Sequence, residues 1–472
     1  MAVAEPRPLS VIILAAGQGK RMRSDLPKVL QPLAGRPLLA HVIAQARALD
    51  AAAVHVVHGH GGEQVRAAFA GAPGLVWVLQ AEQKGTGHAV ATAICAVPDD
   101  HDLLVLYGDV PLVSVATLDR LLASARRGAL AVLTAEFADP TGYGRVIRDG
   151  PLGSKSGAIA RIVEHKDADA AQRAVHEVNT GLLAARAADL KRWIGGLKPD
   201  NAQGEYYLTD CIGAAVAERH EVQGVPAADE AEVHGINDRA QLARAEALLR
   251  QRHAAALLEA GVTLLDPTRI DLRGALECGR DVMLDVGCVF EGRVTLGDRV
   301  RIGPYCVLKD VEVGAGTEVR SHCVIEGAEI GRDCRIGPYA RIRPETVIGE
   351  AAHVGNFVEL KKTELGPGAK ANHLAYLGDT RVGRDANIGA GAITCNYDGA
   401  NKHRTVIGDG AFIGSNAALV APVTIGAGAT IGAGSVISKD APPGELTVSR
   451  AQQVTVPGWT RPTKKKDGGG KE

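Results

Sequence analysis

The stretch IGRDCRIGPYARIRPETVIGEAAHVGNFVEL, residues 330–360, carries an apolar side chain at every sixth position. The same spacing precedes this stretch and returns after it. The apolar positions are Leu284, Phe290, Leu296, Ile302, Leu308, Ile330, Ile336, Ile342, Ile348, Val354, Leu360, Ile407, Ile413, Leu419, Ile425, Ile431 and Ile437. A helix does not keep residues six apart on one face, and a plain strand alternates with a period of two. Hexapeptide repeats are typical of a parallel β-helix, and 263–441 would supply about ten coils.

The chain before this region follows a different pattern, in which short apolar runs alternate with helical stretches. SVIILAAG (10–17) and DLLVLYGD (102–109) have the composition of buried strands, whereas PLLAHVIAQARAL (37–49) has that of a helix. This alternation predicts an α/β domain with a mostly parallel sheet and helices on both faces.

Between the two patterns, residues 237–260 are helical in character. Asn237 or Asp238 could cap the start of this helix and Gly261 its end. The sequence thus predicts an α/β domain (1–236), a linker helix (237–262), a β-helix domain (263–450) and a flexible tail (451–472).

Charge and cysteine content exclude several classes of protein. The formal net charge is −1, so no global electrostatic attraction to nucleic acid or to an anionic membrane is expected. No apolar run approaches the length of a membrane span. The 8 cysteines include no CxxC pair, which disfavours a zinc ribbon and favours a reducing compartment. The expected location is the cytoplasm.

A glycine-rich turn, LAAGQGKRM (14–22), follows the first predicted strand. Glycine lets backbone N–H groups approach a phosphate, and Arg21 and Lys28 could neutralise its charge. On its own, this turn is equally compatible with a plain connection between strand and helix. Further strings follow in order: DLPK (25–28), QAEQKGTGHA (80–89) and YGDVPL (107–112). Together they resemble the sugar-nucleotide pyrophosphorylases.

Over nearly its full length, the chain resembles the family of bifunctional N-acetylglucosamine-1-phosphate uridyltransferase/glucosamine-1-phosphate acetyltransferases. The resemblance implies a left-handed β-helix, a homotrimer and synthesis of UDP-N-acetylglucosamine for bacterial cell-wall and lipopolysaccharide precursors. Its substrates would be glucosamine-1-phosphate, N-acetylglucosamine-1-phosphate, UTP and acetyl-CoA, with Mg²⁺ as cofactor.

In the first domain, the resemblance implies four sets of residues. Lys28 and Arg21 would offset the repulsion between two anionic substrates, and Asp109 with Asn237 would hold Mg²⁺. The residues that would contact the nucleotide are Leu14, Ala15, Ala16, Gly17, Lys28, Gln80, Gly85, Thr86, Tyr107, Gly108 and Asp109. Those that would hold the amino sugar are Gly144, Glu164, Asn179, Tyr207, Thr209 and Asn237. Taken singly, Asp109 could instead be a turn former and Asn237 a helix cap.

In the second domain, three stretches decorate or interrupt the repeats. They are RIRPE (341–345), the segment 354–379 and ITCNYDGANKHRT (393–405). Histidine is the natural base for deprotonating an amine near neutral pH, and His373 matches the catalytic base of the family. The resemblance assigns the sugar phosphate to Arg343, Glu359, Lys361, Tyr376 and Asn387. It assigns acetyl-CoA to Asn396, Tyr397, Ser415, Ala433 and Arg450.

Two other interpretations remain open at this stage. The chain could be a pyrophosphorylase with one activity, whose β-helix serves assembly or regulation. Alternatively, it could be a scaffold without activity, in which both sites have degenerated. The first is disfavoured by His373 and Lys361, which an inert solenoid does not need. The second is disfavoured by the intact LAAGQGKRM string, Asp109 and Asn237.

Overall fold

The structure, a computed structural model, describes residues 7–463, so part of the predicted tail lies outside the described residues. The chain forms two compact units. One holds the residues up to Ala256 together with Leu272–Gly274, and the other holds Leu257–Asp271 and the residues from Ala275 onward. The division after Ala256 falls inside the predicted linker helix, 237–262. The bounds given above for the four segments stay predictions.

The first unit is an α/β fold, as predicted. Its strands are β1 (Leu9–Ala15), β2 (Pro32–Leu33), β3 (Arg36–Pro37), β4 (Ala53–His58), β5 (Leu75–Leu79), β6 (Asp102–Tyr107), β7 (Leu130–Glu136), β8 (Gly144–Arg148), β9 (Ile159–Val163), β10 (Glu177–Arg186) and β11 (Val222–Pro226). Its helices are α1 (Leu38–Ala48), α2 (Gly62–Ala68), α3 (Thr86–Ile94), α4 (Val115–Arg126), α5 (Ala170–Arg173), α6 (Ala187–Gly195) and α7 (Asp210–Ala217). Helix α8 (Arg239–Glu259) carries the division between the units.

The main sheet of this unit runs in the order β11-β7-β10-β6-β1-β4-β5. Its pairs are parallel except at β10, which is antiparallel to β6 and β7 and also pairs with the outlying strand β8. Side chains alternate across β1, so that Val11 and Ile13 pack in one apolar cluster and Ile12 and Leu14 in another. The two clusters cover the two faces of the sheet, and the carboxyl end of β1 leads into the glycine-rich turn.

Helix α8 begins at a side-chain cap. The Asp238 carboxylate accepts a hydrogen bond from the backbone N–H of Gln241 at 2.8 Å, so Asp238 rather than Asn237 is the cap. At the other end, Gly261 has φ 88° and donates to the Leu258 carbonyl, as predicted for a glycine cap. Asn237 is therefore available for another role. Within the described residues, no helix combines the length and the apolar character that a membrane crossing requires.

The second unit consists of short parallel strands that stack coil upon coil. They are β12 (Thr263–Leu264), β13 (Asp271–Cys278), β14 (Met283–Leu284), β15 (Val289–Leu296), β16 (Arg301–Ile302), β17 (Val307–Val313), β18 (Glu318–Val319), β19 (Val324–Ile330), β20 (Arg335–Ile336), β21 (Arg341–Ile342), β22 (Thr346–Ile348), β23 (His353–Asn356), β24 (Glu359–Leu365), β25 (Lys370–His373), β26 (Tyr376–Val382), β27 (Asn387–Ile388), β28 (Ile393–Cys395), β29 (Thr405–Ile407), β30 (Phe412–Ile413), β31 (Ala418–Val420), β32 (Val423–Ile425), β33 (Thr430–Ile431), β34 (Val436–Ile437) and β35 (Leu446–Thr447).

The registers of these strands confirm the predicted β-helix. Ile336 pairs with Val354 and Ile388 with Ile413, and each of the seventeen apolar positions of the period-six pattern is buried. Of the three decorated stretches, 341–345 and 354–379 continue the coil as strands joined by short turns. Only the third leaves it, in a small hairpin closed by a bridge between Tyr397 and Lys402.

Candidate active sites

The first unit contains a cavity of about 360 Å³ at the carboxyl ends of β1 and β6. Ten of the eleven predicted nucleotide-contacting residues line it: Leu14, Ala15, Ala16, Gly17, Lys28, Gln80, Gly85, Thr86, Tyr107 and Asp109. The eleventh, Gly108, stands behind them and donates its backbone N–H to the Leu14 carbonyl at 2.9 Å. The structure therefore brings these predicted residues together, although they come from four separate segments of the sequence.

Gly19 shapes the turn on which the cavity depends. Its φ of 61° lies in the left-handed region, which glycine adopts without strain. A Cβ at this position would lie 2.6 Å from the Cβ of Lys28. Glycine is required here on both grounds, because it lets Lys28 pack directly against the turn.

Lys28 joins the glycine-rich turn to the predicted metal site. Its ammonium donates to Oδ2 of Asp109 and, at 3.0 Å, to Oδ1 of Asn237. Asn237 reaches this point because the N–H of Ile236 bonds to the Asp109 carbonyl at 2.9 Å. One cation thus touches a carboxylate oxygen and an amide oxygen that converge on it. Oxygen ligands of this kind, with waters completing the coordination, fit Mg²⁺.

Arg21 lies apart from this group. It is exposed on a 3₁₀ turn, Lys20–Met22, and does not line the cavity. The structure therefore does not bring Arg21 into contact with the residues that surround Lys28.

The six predicted sugar-binding residues lie outside the lining of this cavity, and four of them contact one another. The hydroxyl of Thr209 donates to the Glu164 carboxylate at 3.0 Å, and a Cβ on Gly144 would lie 3.3 Å from the same carboxylate oxygen. Burial raises the pKa of Glu164, while the bond from Thr209 opposes this shift. Asn179 pairs with Gly144 across β10 and β8 and accepts the N–H of Gly181 at 3.1 Å.

Two tyrosines complete this side. The hydroxyl of Tyr207 accepts a hydrogen bond from Gln203 at 2.7 Å. Burial strongly raises the pKa of Tyr107, and the nearby Glu164 and Asp109 carboxylates raise it further. Tyr107 is thus a neutral phenol between the predicted metal site and the predicted sugar site.

The sequence analysis missed four residues that line the cavity: Val29, Gln83, Ala89 and Glu205. The amide of Gln83 donates to the Ala16 carbonyl at 2.6 Å and so fixes the glycine-rich turn. Gln83 lies within QAEQKGTGHA, and its place between Gln80 and Gly85 was the available signal. Glu205 stands in GEYYLTD (204–210), the string that holds the predicted Tyr207 and Thr209.

In the second unit, His373 lies at the end of β25 and is exposed. Its Nδ1 is 2.9 Å from Oδ1 of Asn356, which precedes it by one coil in the register of β23 and β25. An amide oxygen only accepts, so Nδ1 carries a proton, and in the neutral ring Nε2 is the nitrogen with the lone pair. Both residues line a cavity of about 520 Å³ that Arg320, Arg335 and His353 also border. Asn356 was not predicted.

Glu359 and Lys361 lie on β24, and Arg343 directly follows the neighbouring strand β21. Arg343 donates to the Glu359 carboxylate at 2.8 Å, so within the described residues Glu359 pairs with Arg343 rather than with His373. The adjacent Lys402 ammonium lowers the pKa of Lys361. Two cations that face each other form a natural place for an anion, and Lys402 was not among the predicted residues.

Tyr376 and Asn396 flank Gly378, where a Cβ would lie 2.4 Å from the Tyr376 hydroxyl and 2.7 Å from Nδ2 of Asn396. Asn396 in turn donates to the Asp379 carboxylate at 2.5 Å. Glycine at position 378 thus allows both side chains to share one surface.

The remaining predicted residues of this unit are spread along the coil. Tyr397 is exposed on the hairpin, and Asn387 lies on β27. Ser415, Ala433 and Arg450 follow one another up the stack: the Ser415 carbonyl accepts the N–H of Gly434, and a Cβ on Gly434 would lie 3.8 Å from Arg450. The structure does not bring these residues into contact with His373.

Comparison with known families agrees with this division. A family model described as the MobA-like NTP transferase domain matches residues 11–187. A model described as the GMPPB C-terminal domain matches residues 273–370, and one described as bacterial transferase hexapeptide (six repeats) matches residues 404–439. Among solved structures, a UDP-glucose pyrophosphorylase in complex with UDP-glucose covers 52% of this chain and 99% of its own, at 17% identity and a TM-score of 0.43.

Curated relatives cover almost the whole chain. The protein named Bifunctional protein GlmU from Alkalilimnicola ehrlichii is 59% identical over 98% of this chain and 98% of its own length. Proteins with the same name from Aromatoleum aromaticum and Bordetella parapertussis are 58% and 57% identical, and each is covered over 100% of its length. The chain therefore belongs to the GlmU family of bifunctional enzymes, with uridyltransferase and acetyltransferase activities in UDP-N-acetylglucosamine synthesis.

Proposed function

We propose that the two activities occupy the two sites described above and act in succession. The second unit transfers the acetyl group of acetyl-CoA to the amine of glucosamine-1-phosphate. The first unit then transfers uridylyl from UTP to N-acetylglucosamine-1-phosphate and releases pyrophosphate. The observation that carries this assignment is the convergence of Lys28, Asp109 and the glycine-rich turn on one cavity.

In the first unit, a phosphate oxygen of the sugar attacks the α-phosphorus of UTP, and the bond from that phosphorus to the bridging oxygen of pyrophosphate breaks. The nucleophile is already an anion, so no base is needed. Lys28 stabilises the negative charge that gathers at the phosphates. Asp109 and Asn237 would hold Mg²⁺, which supplies further charge neutralisation when bound.

The other residues of this unit divide between the two substrates. The glycine-rich turn, Gln80, Gly85 and Thr86 contact the nucleotide, while Glu164 and Thr209 orient the sugar. Tyr107 separates the two groups. Arg21, which is exposed beside the turn, contributes positive charge at the mouth of the site rather than a direct contact.

In the second unit, His373 acts as the general base. Asn356 holds its Nδ1–H, so Nε2 takes a proton from the substrate ammonium. The amine nitrogen then attacks the thioester carbonyl and the C–S bond breaks. The nitrogen loses its second proton, the thiolate gains one, and CoA leaves as the thiol. Arg343, Lys361 and Lys402 bind the sugar phosphate. Acetyl-CoA lies along the predicted surface, whose residues are Asn396, Tyr397, Ser415, Ala433 and Arg450.

A homotrimer in the cytoplasm is the proposed state of the protein. The second unit exposes a ladder of stacked rings at one corner, Tyr305, His322, Tyr339 and Phe357, with centroids 4.8–5.3 Å apart. Exposed aromatic surface of this kind favours association with another copy. The scattered cysteines support a reducing compartment.

The test follows the two reactions separately in wild type, His373→Ala and Asp109→Ala. Thiol release is measured with glucosamine-1-phosphate and acetyl-CoA, and pyrophosphate release with N-acetylglucosamine-1-phosphate, UTP and Mg²⁺. His373→Ala should lose only thiol release, and Asp109→Ala only pyrophosphate release. If His373→Ala retains thiol release, the assignment of the base is wrong; if Asp109→Ala retains pyrophosphate release, the metal site is wrong.

A further inference from the structure

Gln80 is held in one orientation by two acceptors. Its side chain is 4% exposed and lines the nucleotide cavity. Its Nε2 donates to the Gly85 carbonyl at 3.2 Å and to Nδ1 of His88 at 3.1 Å. Among the described residues, Oε1 of Gln80 has no hydrogen-bond partner. The amide therefore has both N–H groups engaged and one oxygen left to meet a ligand.

The two acceptors make this orientation hard to reverse. A carbonyl such as that of Gly85 only accepts, so a flipped amide would place two oxygens against each other. The same flip would require His88 to carry its proton on Nδ1. The Gly85 carbonyl already places the amide nitrogen at this end, so Nδ1 of His88 is the acceptor of the second N–H group and reinforces the orientation of Gln80.

His88 is itself rigidly placed on the first turn of α3. The start of this helix is fixed to the segment around Tyr206, because the N–H of Gly87 bonds to the Tyr206 carbonyl at 2.8 Å and the Thr86 hydroxyl accepts the N–H of Leu208 at 3.1 Å. A Cβ on Gly87 would lie 2.9 Å from the Tyr206 carbonyl oxygen. The imidazole therefore has a rigid support.

We infer that His88 is a positioning residue that sets the base selectivity of the first site. His88 fixes Gln80 so that Oε1 can only accept a hydrogen bond. The site therefore favours a base that donates a hydrogen bond to Oε1. Uracil donates from N3–H, whereas N3 of cytosine is an acceptor that would face Oε1 unpaired. This inference rests on the proposed nucleotide site, and it assigns the choice of uridine over cytidine nucleotides to a residue that need not touch the nucleotide.

The test compares His88→Phe, which keeps a ring but loses the acceptor, with His88→Asn, whose Oδ1 can replace Nδ1. The ratio of kcat/KM for UTP to that for CTP is measured from pyrophosphate release. His88→Phe should lower the ratio about tenfold or more, the effect of one hydrogen bond, and His88→Asn should restore most of it. Thr92→Val, one turn along α3 and outside the cavity, should keep the wild-type ratio.

Gln80→Ala separates failure of the inference from failure of the site. If Gln80→Ala keeps the wild-type ratio, the proposed nucleotide site is wrong. If Gln80→Ala lowers the ratio but His88→Phe does not, or if His88→Phe slows UTP and CTP equally, the role of His88 is overturned. Acetyl transfer by the same variants should equal that of wild type, which shows that the second unit is folded, and measurable turnover of UTP shows that the first unit is folded.

Discussion

At the scale of single residues, Lys28 is the contact between the glycine-rich turn and the Asp109–Asn237 pair. Lys28→Met keeps most of the side-chain length and removes the charge, so phosphate charge in the transition state loses its fixed partner. We expect kcat for pyrophosphate release to fall by about 10²–10³-fold. Lys84→Met is the matched control, because Lys84 is exposed and outside the cavity. Activity of Lys28→Met within twofold of wild type would contradict the role.

Asn356 fixes the tautomer of His373, and its substitution should affect only acetyl transfer. Asn356→Ala frees the imidazole to rotate and should lower kcat/KM for thiol release by about tenfold to 10³-fold, part of the usual contribution of a general base. Asn356→Asp keeps an acceptor and adds a negative charge that favours the imidazolium. Asn356→Asp should retain more activity than Asn356→Ala. The fall of kcat/KM at low pH should shift to higher pH values, and an unchanged profile would argue against the contact between residue 356 and His373.

Local patterns predicted the lining of the nucleotide cavity but not the contacts that fix it. The motifs around Leu14, Gln80 and Asp109 lie at the carboxyl ends of parallel strands, and these ends meet at one edge of the sheet. The sequence could therefore predict that the three motifs line one cavity. Asn356, in contrast, meets His373 because one coil of the β-helix separates them in sequence. Lys402 meets Lys361 only because the hairpin folds back. Neither contact follows from the local sequence.

At the scale of elements, the period of six identified which side chains point inward, and this can be tested within one strand. Ile342 is fully buried, whereas its neighbour Arg341 is exposed. Ile342→Ala should cost about 2–5 kcal/mol of stability, and Arg341→Ala within about 0.5 kcal/mol. The measurement is the urea midpoint for loss of acetyl transfer. Equal midpoints for the two variants would contradict the packing of this coil.

The same period could not give the finer features of the elements. The paired positions Ile336, Val354 and Ala371 are spaced by one coil each, but the step from Ile388 to Ile413 is longer because the hairpin is inserted. Charged and aromatic letters in 341–345 and 354–379 suggested departures from the coil, yet their outward side chains leave it regular. Polar decoration and backbone interruption look alike in sequence.

At the scale of the whole molecule, buried and half-buried histidines in both units link stability to pH. Burial lowers the pKa of His41, His55, His58 and His353. Within residues 7–463, the ring nitrogens of His55 have no hydrogen-bond partner. Below about pH 6.5 these histidines bind protons in the unfolded chain but stay neutral in the folded chain. The free energy of unfolding is therefore highest above that pH and declines as the pH falls. The temperature midpoint of unfolding should be lower at pH 5.5 than at pH 7.5. The difference should be about 2–4 °C for each kcal/mol of stability lost. His55→Leu should reduce the difference between the two midpoints, whereas the control His60→Gln, at an exposed site, should leave it unchanged. A midpoint that rises on acidification would refute this link between histidine burial and stability.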